Sequence, residues 1–367
     1  MKSKVIVLIL IVFLISSYLT GCKSTGIKVP DHSIPFLILT TDSKEGIKKA
    51  VLNFWDLKNG KIIKTNNIVY TVTPTTDLKS AQASYETFND HKPLYWDGEE
   101  CLILPWFMKV NKKLYKRTEA IGETKGPSEL NIFGKDVNML VERPTNNPTD
   151  NKYTVKLWNG EKYIEKELNL NYKSQDPNSK PIYPVAIGNE ERNLNILFCG
   201  DFNPQTGLDL FVCSVDKKDW THKWIKVSVK EDADIGPSNP PLFSNTVYFD
   251  RSFYIPSGCC GIAKVNLDDY TCEKWKYIKP FKPIEEDIAY HTSILGNFKD
   301  MLIIRFVIGR VPGSEHYIIA FKNGKTIGII HILNSNLQVM DKNGNILSNL
   351  SLDENPDFVF PRLNGGM

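Results

Sequence analysis

Hairpin signals that recur about every fifty residues constrain the fold of this chain more than any other feature of its sequence. Short apolar runs rich in Val, Ile, Leu and aromatic residues flank turns near residues 59, 112, 159, 217, 268 and 323. The clearest turns are Asn59-Gly60, Asn159-Gly160 and Asn323-Gly324, because two-residue hairpin turns need positive φ angles that Asn and Gly adopt easily. A fixed period of this size is typical of the blades of a β-propeller.

A second series of hairpins, offset from the first, supplies two further strands to most units. Each begins with a proline and an apolar strand, and the pairs are Pro93–Trp96 with Cys101–Leu104, Pro181–Ile187 with Leu194–Phe198, and Pro241–Phe243 with Val247–Ile255. The last pair is predicted to turn at Ser244-Asn245. Two hairpins in each unit give the four strands of one blade.

The two ends of the chain are predicted to complete one blade together. The hairpin Leu337–Leu350 lacks a following hairpin, and residues 34–70 lack a preceding one. Helical periodicity is almost absent after residue 33. The sequence therefore predicts an all-β fold, a β-propeller of about six four-stranded blades. Seven blades are the alternative, and a pair of two-sheet sandwiches is the structural runner-up.

The N-terminal segment has the layout of an export signal. Lys2 and Lys4 precede the apolar run Val5–Ile15, which is too short to span a bilayer as a mature helix. The residues that follow, Leu19-Thr20-Gly21-Cys22, resemble the lipobox of bacterial lipoproteins. The resemblance implies cleavage before Cys22, a lipid on its sulfur, and a membrane-anchored chain on the extracytoplasmic face. An ordinary secretory signal or an uncleaved anchor is the alternative.

Cleavage at this point defines the predicted domain organisation. Residues 1–21 are the signal peptide, residues 22–33 are the lipidated cysteine and a flexible tether, and residues 34–367 are the propeller domain, closed by N- and C-terminal strands. The processed chain carries 43 basic and 42 acidic residues. This near-neutral balance, with the basic residues scattered, argues against a nucleic-acid partner.

Six cysteines remain after Cys22, namely Cys101, Cys199, Cys213, Cys259, Cys260 and Cys272. An exported chain permits disulfides, but the sequence alone cannot choose a pairing, and buried thiols are the alternative. The adjacent pair Cys259-Cys260 lies between Gly258 and Gly261. The pair either closes a strained ring or remains two neighbouring thiols.

Three segments resemble known propeller repeats. Phe253–Ile255, Gly261 and Val265–Trp275 are similar to a kelch blade without its Gly-Gly doublet. Ser214–Thr221 resembles the Asp-box turn of sialidase-type propellers, with Lys218 in place of the glycine. These resemblances imply the architecture and no activity, because one fold hosts many functions.

The third segment, Gly200–Leu210, resembles the calcium loop of FG-GAP repeats. The resemblance implies Asp201, Asn203 and Asp209 as calcium ligands, since calcium takes several oxygen ligands from alternating positions of a tight loop. Gln205 stands where an acid is usual, so only two carboxylates, Asp201 and Asp209, are available as calcium ligands. A polar turn between two strands is the alternative, and no other cofactor is predicted.

Loops that join the second and third strands of the blades are expected to share one face of the ring. Since loops carry function more often than strands, we place ligand binding on this face. Its candidate binding residues are Trp106, Arg143, Cys259, Cys260, Arg310 and Glu315, beside Asp201 and Asn203. The sequence thus predicts an extracytoplasmic binding module for a sugar, a peptide or an envelope protein.

Two other functions remain open from the sequence. An exported sialidase-like glycoside hydrolase would need arginines that converge on a carboxylate, and Arg143, Arg251, Arg305, Arg310 and Arg362 are available. The Arg-Ile-Pro motif of sialidases is missing, and Glu285–Asp287 beside His291 is typical of a solvated loop. No catalytic residue is therefore assigned. A scaffold within an envelope complex is the third possibility.

Overall fold

The computed structural model describes residues 29–41, 48–72, 94–96, 101–103, 107–110, 113–116, 129–133, 138–142, 152–158, 163–169, 182–203, 207–235, 246–258, 260–278, 290–309, 315–333, 336–352 and 357–360. These ranges are almost entirely β-strand, with one 3-10 helix at Glu231–Ala233. Within them, no helix has the length and apolar character needed to cross a membrane.

The described residues contain 27 strands. In chain order they are β1 (Ser33–Thr41), β2 (Lys48–Asp56), β3 (Lys61–Val72), β4 (Leu94–Trp96), β5 (Cys101–Ile103), β6 (Phe107–Val110), β7 (Lys113–Lys116), β8 (Glu129–Phe133), β9 (Asn138–Glu142), β10 (Lys152–Trp158), β11 (Tyr163–Asn169), β12 (Tyr183–Asn189), β13 (Asn193–Asn203), β14 (Gly207–Asp216), β15 (His222–Lys226), β16 (Ser228–Val229), β17 (Val247–Phe249), β18 (Ser252–Ser257), β19 (Gly261–Asn266), β20 (Thr271–Tyr277), β21 (Tyr290–Phe298), β22 (Met301–Ile308), β23 (Glu315–Lys322), β24 (Lys325–Leu333), β25 (Asn336–Met340), β26 (Ile346–Ser351) and β27 (Asp357–Val359).

Four antiparallel sheets have the four strands of a propeller blade. They are the N-terminal blade (β27-β1-β2-β3), the second blade (β8 to β11), the third blade (β12 to β15) and the fourth blade (β17 to β20). The short strand β16 adds to the outer edge of the fourth blade, parallel to β20. A six-stranded sheet (β21 to β26) follows the fourth blade in the chain.

The first and last described strands lie in one sheet. β1 pairs with β27 in antiparallel fashion, with Leu37 opposite Val359 and Leu39 opposite Asp357. Phe360, fully buried just after β27, stacks on Phe36 with ring centroids 5.3 Å apart. Strands from both ends of the chain therefore share the N-terminal blade.

The expected hairpin Leu337–Leu350 exists, but it belongs to a different sheet. β25 pairs with β24, so the hairpin extends the six-stranded sheet instead of completing the N-terminal blade. Only two residues separate Leu333 from Asn336. A connection this short joins antiparallel neighbours and cannot carry the chain to another sheet.

The prediction of six four-stranded blades, and its alternative of seven, is wrong. The described residues form four blades, together with the six-stranded sheet. The predicted blade near residues 93–116 consists of two separate two-stranded sheets, β4-β5 and β6-β7. The all-β propeller class itself is confirmed by the sheet topology.

Four apolar clusters lie between successive sheets and hold them in order. Each cluster joins buried side chains of two neighbouring sheets. Tyr153 and Leu168 of the second blade pack with Phe198 of the third blade, and Val185 and Leu210 of the third blade with Phe253 of the fourth blade. Tyr254 and Ile262 of the fourth blade pack with Phe306 of the six-stranded sheet, and Phe36 and Trp55 of the N-terminal blade with Ile303 of the same sheet. The sheets thus follow the order second, third, fourth, six-stranded and N-terminal. Sheets that pack face to face in chain order, closed by strands from both ends, are the arrangement of a β-propeller.

Burial decreases from the middle of a blade to its outer edge. Every residue of β18 is buried, because both faces of this strand contact neighbouring sheets. The outer strands β15 and β20 consist mostly of partly buried and exposed positions, and only Cys272 of β20 is buried. Their exposed residues are Lys223 and Lys226 in β15 and Lys274 and Tyr277 in β20, as expected for strands with one solvated side.

Candidate functional site

A polar groove of about 390 Å³ lies between the third and fourth blades, and we call it the inter-blade groove. It is formed by turns that join the first to the second strand and the third to the fourth strand of each blade. The third blade lines it with Glu190, Arg192, Asn193, Asn195, Ser214, Asp216, Thr221, His222 and Lys223, and the fourth blade with Arg251, Leu267 and Tyr270. These turns lie at the opposite strand ends from the predicted binding loops.

The third-blade wall is held by an ion pair between its two turns. Arg192 Nε donates to Asp216 Oδ2 at 2.9 Å. The backbone N–H of Lys218 and the Arg192 side chain lower the pKa of Asp216. Lys217 Nζ, in the same turn, donates to Asn189 Oδ1 at 3.0 Å. The Asp216 carboxylate therefore stays ionised and fixed at the groove.

The fourth-blade wall contains a strained turn. Asp250 and Arg251 connect β17 to β18 with φ angles of 46° and 52°. Asn323 and Gly324 form the same kind of turn, with φ angles of 48° and 69°. Asn-Gly is a preferred pair for this conformation, whereas arginine is disfavoured there by its Cβ. The groove thus includes a backbone conformation that local preference does not explain.

Arg251 lies between two carboxylates. Its Nε donates to Asp268 Oδ1 at 3.1 Å, and Glu190 and then Asp268 raise the pKa of its guanidinium. Glu190 Oε1 also accepts a hydrogen bond from the Tyr248 hydroxyl at 2.6 Å. Burial and this hydrogen bond raise the pKa of Tyr248. Glu190 therefore connects the two walls of the groove.

Tyr270 supplies the aromatic surface of the groove. It is half-buried and has a φ angle of 55°, at the position of the turn between β19 and β20 that glycine usually occupies. Lys223 Nζ, from the outer strand of the third blade, lies 5.9 Å from the Tyr270 ring centroid. Asp269 Oδ1 accepts hydrogen bonds from the backbone N–H and hydroxyl of Thr271, which fix the turn.

The charges around the groove balance. Arg192, Arg251 and Lys223 are countered by Glu190, Asp216 and Asp268. The groove also presents neutral amide and hydroxyl groups from Asn193, Asn195 and Ser214. It can therefore donate and accept many hydrogen bonds, with an aromatic ring alongside and no excess charge to neutralise.

Several predicted site residues lie outside the described part of the chain. These are Cys22, Trp106, Arg143, Cys259 and Arg310. Cys260 is described and is buried before β19. Cys213 and Cys272 are buried thiols in strands, and burial raises the pKa of Cys272 to about 12. The strained Cys259-Cys260 ring stays a prediction.

The calcium candidates lie in strands instead of a loop. Asp201 and Asn203 fall within β13, which continues four residues into the predicted loop, and Asp209 falls within β14. Asp209 Oδ1 is 2.8 Å from Lys226 Nζ, so a lysine ammonium already compensates this carboxylate. Among the described residues, no group of three or more His, Cys, Asp or Glu side chains has the geometry of a metal site.

Among the predicted binding residues that the structure describes, Glu315 makes polar contacts with two other side chains of its sheet. It accepts a hydrogen bond from the Tyr317 hydroxyl at 2.8 Å and lies 3.4 Å from His331 Nε2. Burial, followed by the hydrogen bond to Glu315, raises the pKa of Tyr317. Arg305, another sequence candidate, lies in β22 of the same sheet beside His316. The described structure does not bring Arg305 to the inter-blade groove, where Arg251 lies.

The sequence prediction missed the turn that carries Arg251. It placed the turn at Ser244-Asn245 and extended one strand over Val247–Ile255, whereas the chain reverses at Asp250-Arg251. The available signal was the charged Asp-Arg pair, which interrupts an otherwise apolar run. Without glycine or asparagine at the second position, this signal was weaker than the Ser-Asn pair.

Comparisons with known proteins find structural matches only. No family model matches the chain, and no curated protein matches it. Solved structures that match include the β-propeller domain of Cps50 (Swd1) from Myceliophteria thermophila, with 9% identity, 90% of each chain covered and a TM-score of 0.28. BamB from Moraxella catarrhalis matches with 7% identity, 86% of this chain and 83% of that chain covered, and a TM-score of 0.26.

A third match is a mutant of the Aleuria aurantia lectin AAL in complex with Fucα1-6GlcNAc. It has 11% identity, covers 93% of this chain and 98% of the lectin, and has a TM-score of 0.27. TM-scores and identities this low say nothing about what the present chain binds. The class of protein is defined by its own strand topology, as a β-propeller with a polar groove between two blades.

Proposed function

We propose that this chain is a membrane-anchored extracytoplasmic lipoprotein whose β-propeller binds a neutral saccharide in the inter-blade groove. One observation carries the proposal. Two residues that line the groove, Arg251 and Tyr270, hold left-handed backbone conformations that their side chains disfavour. Strained residues cluster at binding and catalytic sites, where function maintains them against local preference.

The chemistry of the groove favours a saccharide. Sugars offer many hydroxyl groups, which both donate and accept, and an apolar face of C–H groups that packs on aromatic rings. The groove matches these features with guanidinium and amide donors, with carboxylate acceptors such as Glu190 and Asp216, and with the ring of Tyr270. Because its charges are already paired, a neutral ligand leaves no buried charge uncompensated.

Calorimetric titration of the processed lipoprotein in detergent tests this proposal. We expect binding of neutral oligosaccharides in preference to matched uronate oligosaccharides and unstructured peptides. Tyr270→Ala and Arg251→Ala should each weaken binding by about tenfold or more. Lys218→Ala is the matched control, because Lys218 is exposed in the adjacent turn and its hydrogen bond to Asp216 comes from the backbone N–H, which alanine keeps. Selective peptide binding, or wild-type affinity in both groove variants, would exclude the saccharide proposal.

The membrane anchor is tested separately. Thioether attachment needs the Cys22 thiol, so Cys22→Ser should accumulate as an unprocessed precursor. Metabolic labelling with a fatty-acid analogue should mark the parent chain and leave Cys22→Ser unlabelled. If Cys22→Ser is cleaved and retained in the membrane like the parent, Cys22 is not the anchor, while the saccharide proposal is unaffected.

A further inference from the structure

We propose that the chain carries a second saccharide subsite, centred on Trp220 at the junction between the second and third blades. This inference rests on the proposed function of the inter-blade groove. It comes from a repeated arrangement of side chains in two successive blades, in which Trp220 takes the place of Tyr270.

The turn between the third and fourth strands is the same in both blades. Trp220 has a φ angle of 62° and Tyr270 has one of 55°, so each blade holds a large aromatic residue in a left-handed conformation. The preceding aspartate fixes each turn in the same way. Asp219 Oδ1 accepts from the backbone N–H of Thr221 at 2.9 Å, just as Asp269 Oδ1 accepts from Thr271 at 3.1 Å.

A lysine from the preceding blade lies over each aromatic ring. Lys166 Nζ, from β11 of the second blade, is 5.6 Å from the Trp220 ring centroid. Lys223 Nζ, from β15 of the third blade, is 5.9 Å from the Tyr270 ring centroid. Both lysines therefore occupy corresponding outer strands, and both rings are half-buried at blade junctions.

An arginine–aspartate pair also repeats within each blade. Arg192 pairs with Asp216 in the third blade, and Arg251 pairs with Asp268 in the fourth blade. In both cases the arginine comes from the first turn of the blade and the aspartate from the second. Three features thus recur at the two junctions, namely the strained aromatic residue, the aspartate–threonine turn and the overlying lysine, while the Arg192–Asp216 pair lines the inter-blade groove.

At two other described junctions a glycine takes the left-handed position, so an aromatic residue is not required to form the turn. At the corresponding turn of the N-terminal blade, Gly60 takes the left-handed conformation, and a Cβ there would lie 2.2 Å from Leu347 Cδ1. At the next junction, Gly324 accepts a hydrogen bond from Lys276 Nζ at 3.0 Å. A glycine therefore suffices for the turn. Trp220 and Tyr270 pack against the apolar clusters of their junctions, and the part of each ring that stays exposed is available to a ligand.

The second subsite would take the same class of ligand as the first, a neutral saccharide. Two subsites on adjacent blade junctions would let one polysaccharide chain, or two branches of it, bind at once. Binding to a polymer would then be stronger than binding to a short saccharide by roughly a hundredfold or more, because the second contact is intramolecular.

Binding stoichiometry separates this inference from the proposed function. With a short neutral saccharide, we expect two bound molecules per parent chain, and one in Trp220→Gly or in Tyr270→Gly. Glycine is the right substitution because it removes the ring and suits the left-handed turn, as Gly60 shows. Thermal melting of both variants checks that they are folded, and Lys218→Ala is the control that should keep two sites.

The outcomes are distinct. One bound saccharide in the parent, or two in folded Trp220→Gly, overturns the second subsite and leaves the first intact. No saccharide binding in the parent overturns the proposed function, and the second subsite with it. If Trp220→Gly fails to fold, two other variants provide the test. One is Lys166→Gln, and the other is Tyr270→Gly, in which the saccharide should quench tryptophan fluorescence. Unchanged fluorescence on saturation would then overturn the inference.

Discussion

The Tyr248 hydroxyl donates a hydrogen bond to Glu190 Oε1 at 2.6 Å, across the boundary between the third and fourth blades. The ring of Tyr248 also covers Gly188, where a Cβ would lie 2.5 Å from Tyr248 Cδ2. One side chain thus sets both the spacing of the two blades and the position of a carboxylate in the inter-blade groove.

Tyr248→Phe should therefore lower both stability and saccharide affinity. The substitution keeps the ring and removes the donor, which leaves the Glu190 carboxylate without this hydrogen bond. We expect the free energy of unfolding to fall by about 1–2 kcal/mol in urea denaturation. Tyr277→Phe is the control, since Tyr277 is 49% exposed. Equal effects of the two substitutions would show that Tyr248 has no special role at the boundary.

Gly188→Ala should destabilise the chain through a steric clash with the same ring. We expect a loss of about 1–3 kcal/mol, typical of overpacking. A double-mutant cycle with Tyr248→Leu checks the cause, because a smaller and flexible side chain leaves room for the alanine methyl group. If Gly188→Ala costs as much in the Tyr248→Leu background as in the parent, the clash lies elsewhere.

The closing strand should matter as much as the inner core of the ring. Phe360 is fully buried and stacks on Phe36, so Phe360→Ala should lower the free energy of unfolding by about 3–5 kcal/mol. Ile346→Ala, at a side chain that is 52% exposed, should change it by less than about 0.5 kcal/mol. Urea denaturation of both variants measures the difference, and similar small effects would mean that β27 contributes little to closure.

Local turn chemistry explains how much of this architecture the sequence could predict. The hairpins at Asn59-Gly60 and Asn323-Gly324 and the hairpin Leu337–Leu350 were predicted, and the turn glycines Gly60, Gly324 and Gly344 have positive φ angles. The assignment of the hairpin Leu337–Leu350 to the N-terminal blade was wrong, because it depended on which strands pair in the folded chain. The short connection between β24 and β25 decides that the last hairpin extends the six-stranded sheet, and it lacks the glycine that marked those predicted turns.

The inter-blade groove was beyond prediction for a different reason. Its two walls come from turns that lie far apart in sequence, and Glu190 and Arg251 meet only when the blades pack together. Arg251 was predicted to lie within a strand, so it could not be assigned to a groove. Glu315 was predicted to lie in a loop, whereas it is the first residue of β23, and its neighbour His331 lies in the next strand of the sheet.

The turn at Asp56 should make stability depend on acid pH. Burial is the largest influence on the Asp56 carboxyl and acts to raise its pKa. Hydrogen bonds from the Asn59 side chain and from the backbone N–H groups of Asn59 and Lys58 together outweigh burial, so the pKa is lowered. The folded-state pKa then lies below the unfolded-state value of about 3.9, and ionisation stabilises the folded chain above that pH. This stabilisation is lost as the pH falls through the folded-state pKa.

Urea denaturation of Asp56→Asn at several pH values measures this effect. The variant should be less stable than the parent at pH 7, and the difference should shrink as the pH falls below about 4. Asp300→Asn, which removes an exposed ion pair with Lys322, should show only a small difference at pH 7. A pH-independent difference for Asp56→Asn would show that the carboxylate charge is not what stabilises the turn.

The strain at Arg251 gives the sharpest prediction, because stability and binding should change in opposite directions. Arg251→Gly turns the hairpin into Asp-Gly, a preferred pair for a turn with two positive φ angles. The exposed ion pair with Asp268 is lost, but such pairs contribute little. We expect the melting temperature to rise by about 1–3 °C and saccharide affinity to fall by about tenfold. Arg251→Ala separates the two effects, since it removes the same guanidinium without relieving the backbone, and should lose affinity with no gain in melting temperature. A lower melting temperature in Arg251→Gly would mean that Arg251 stabilises the fold, and the argument from strain to binding would fail.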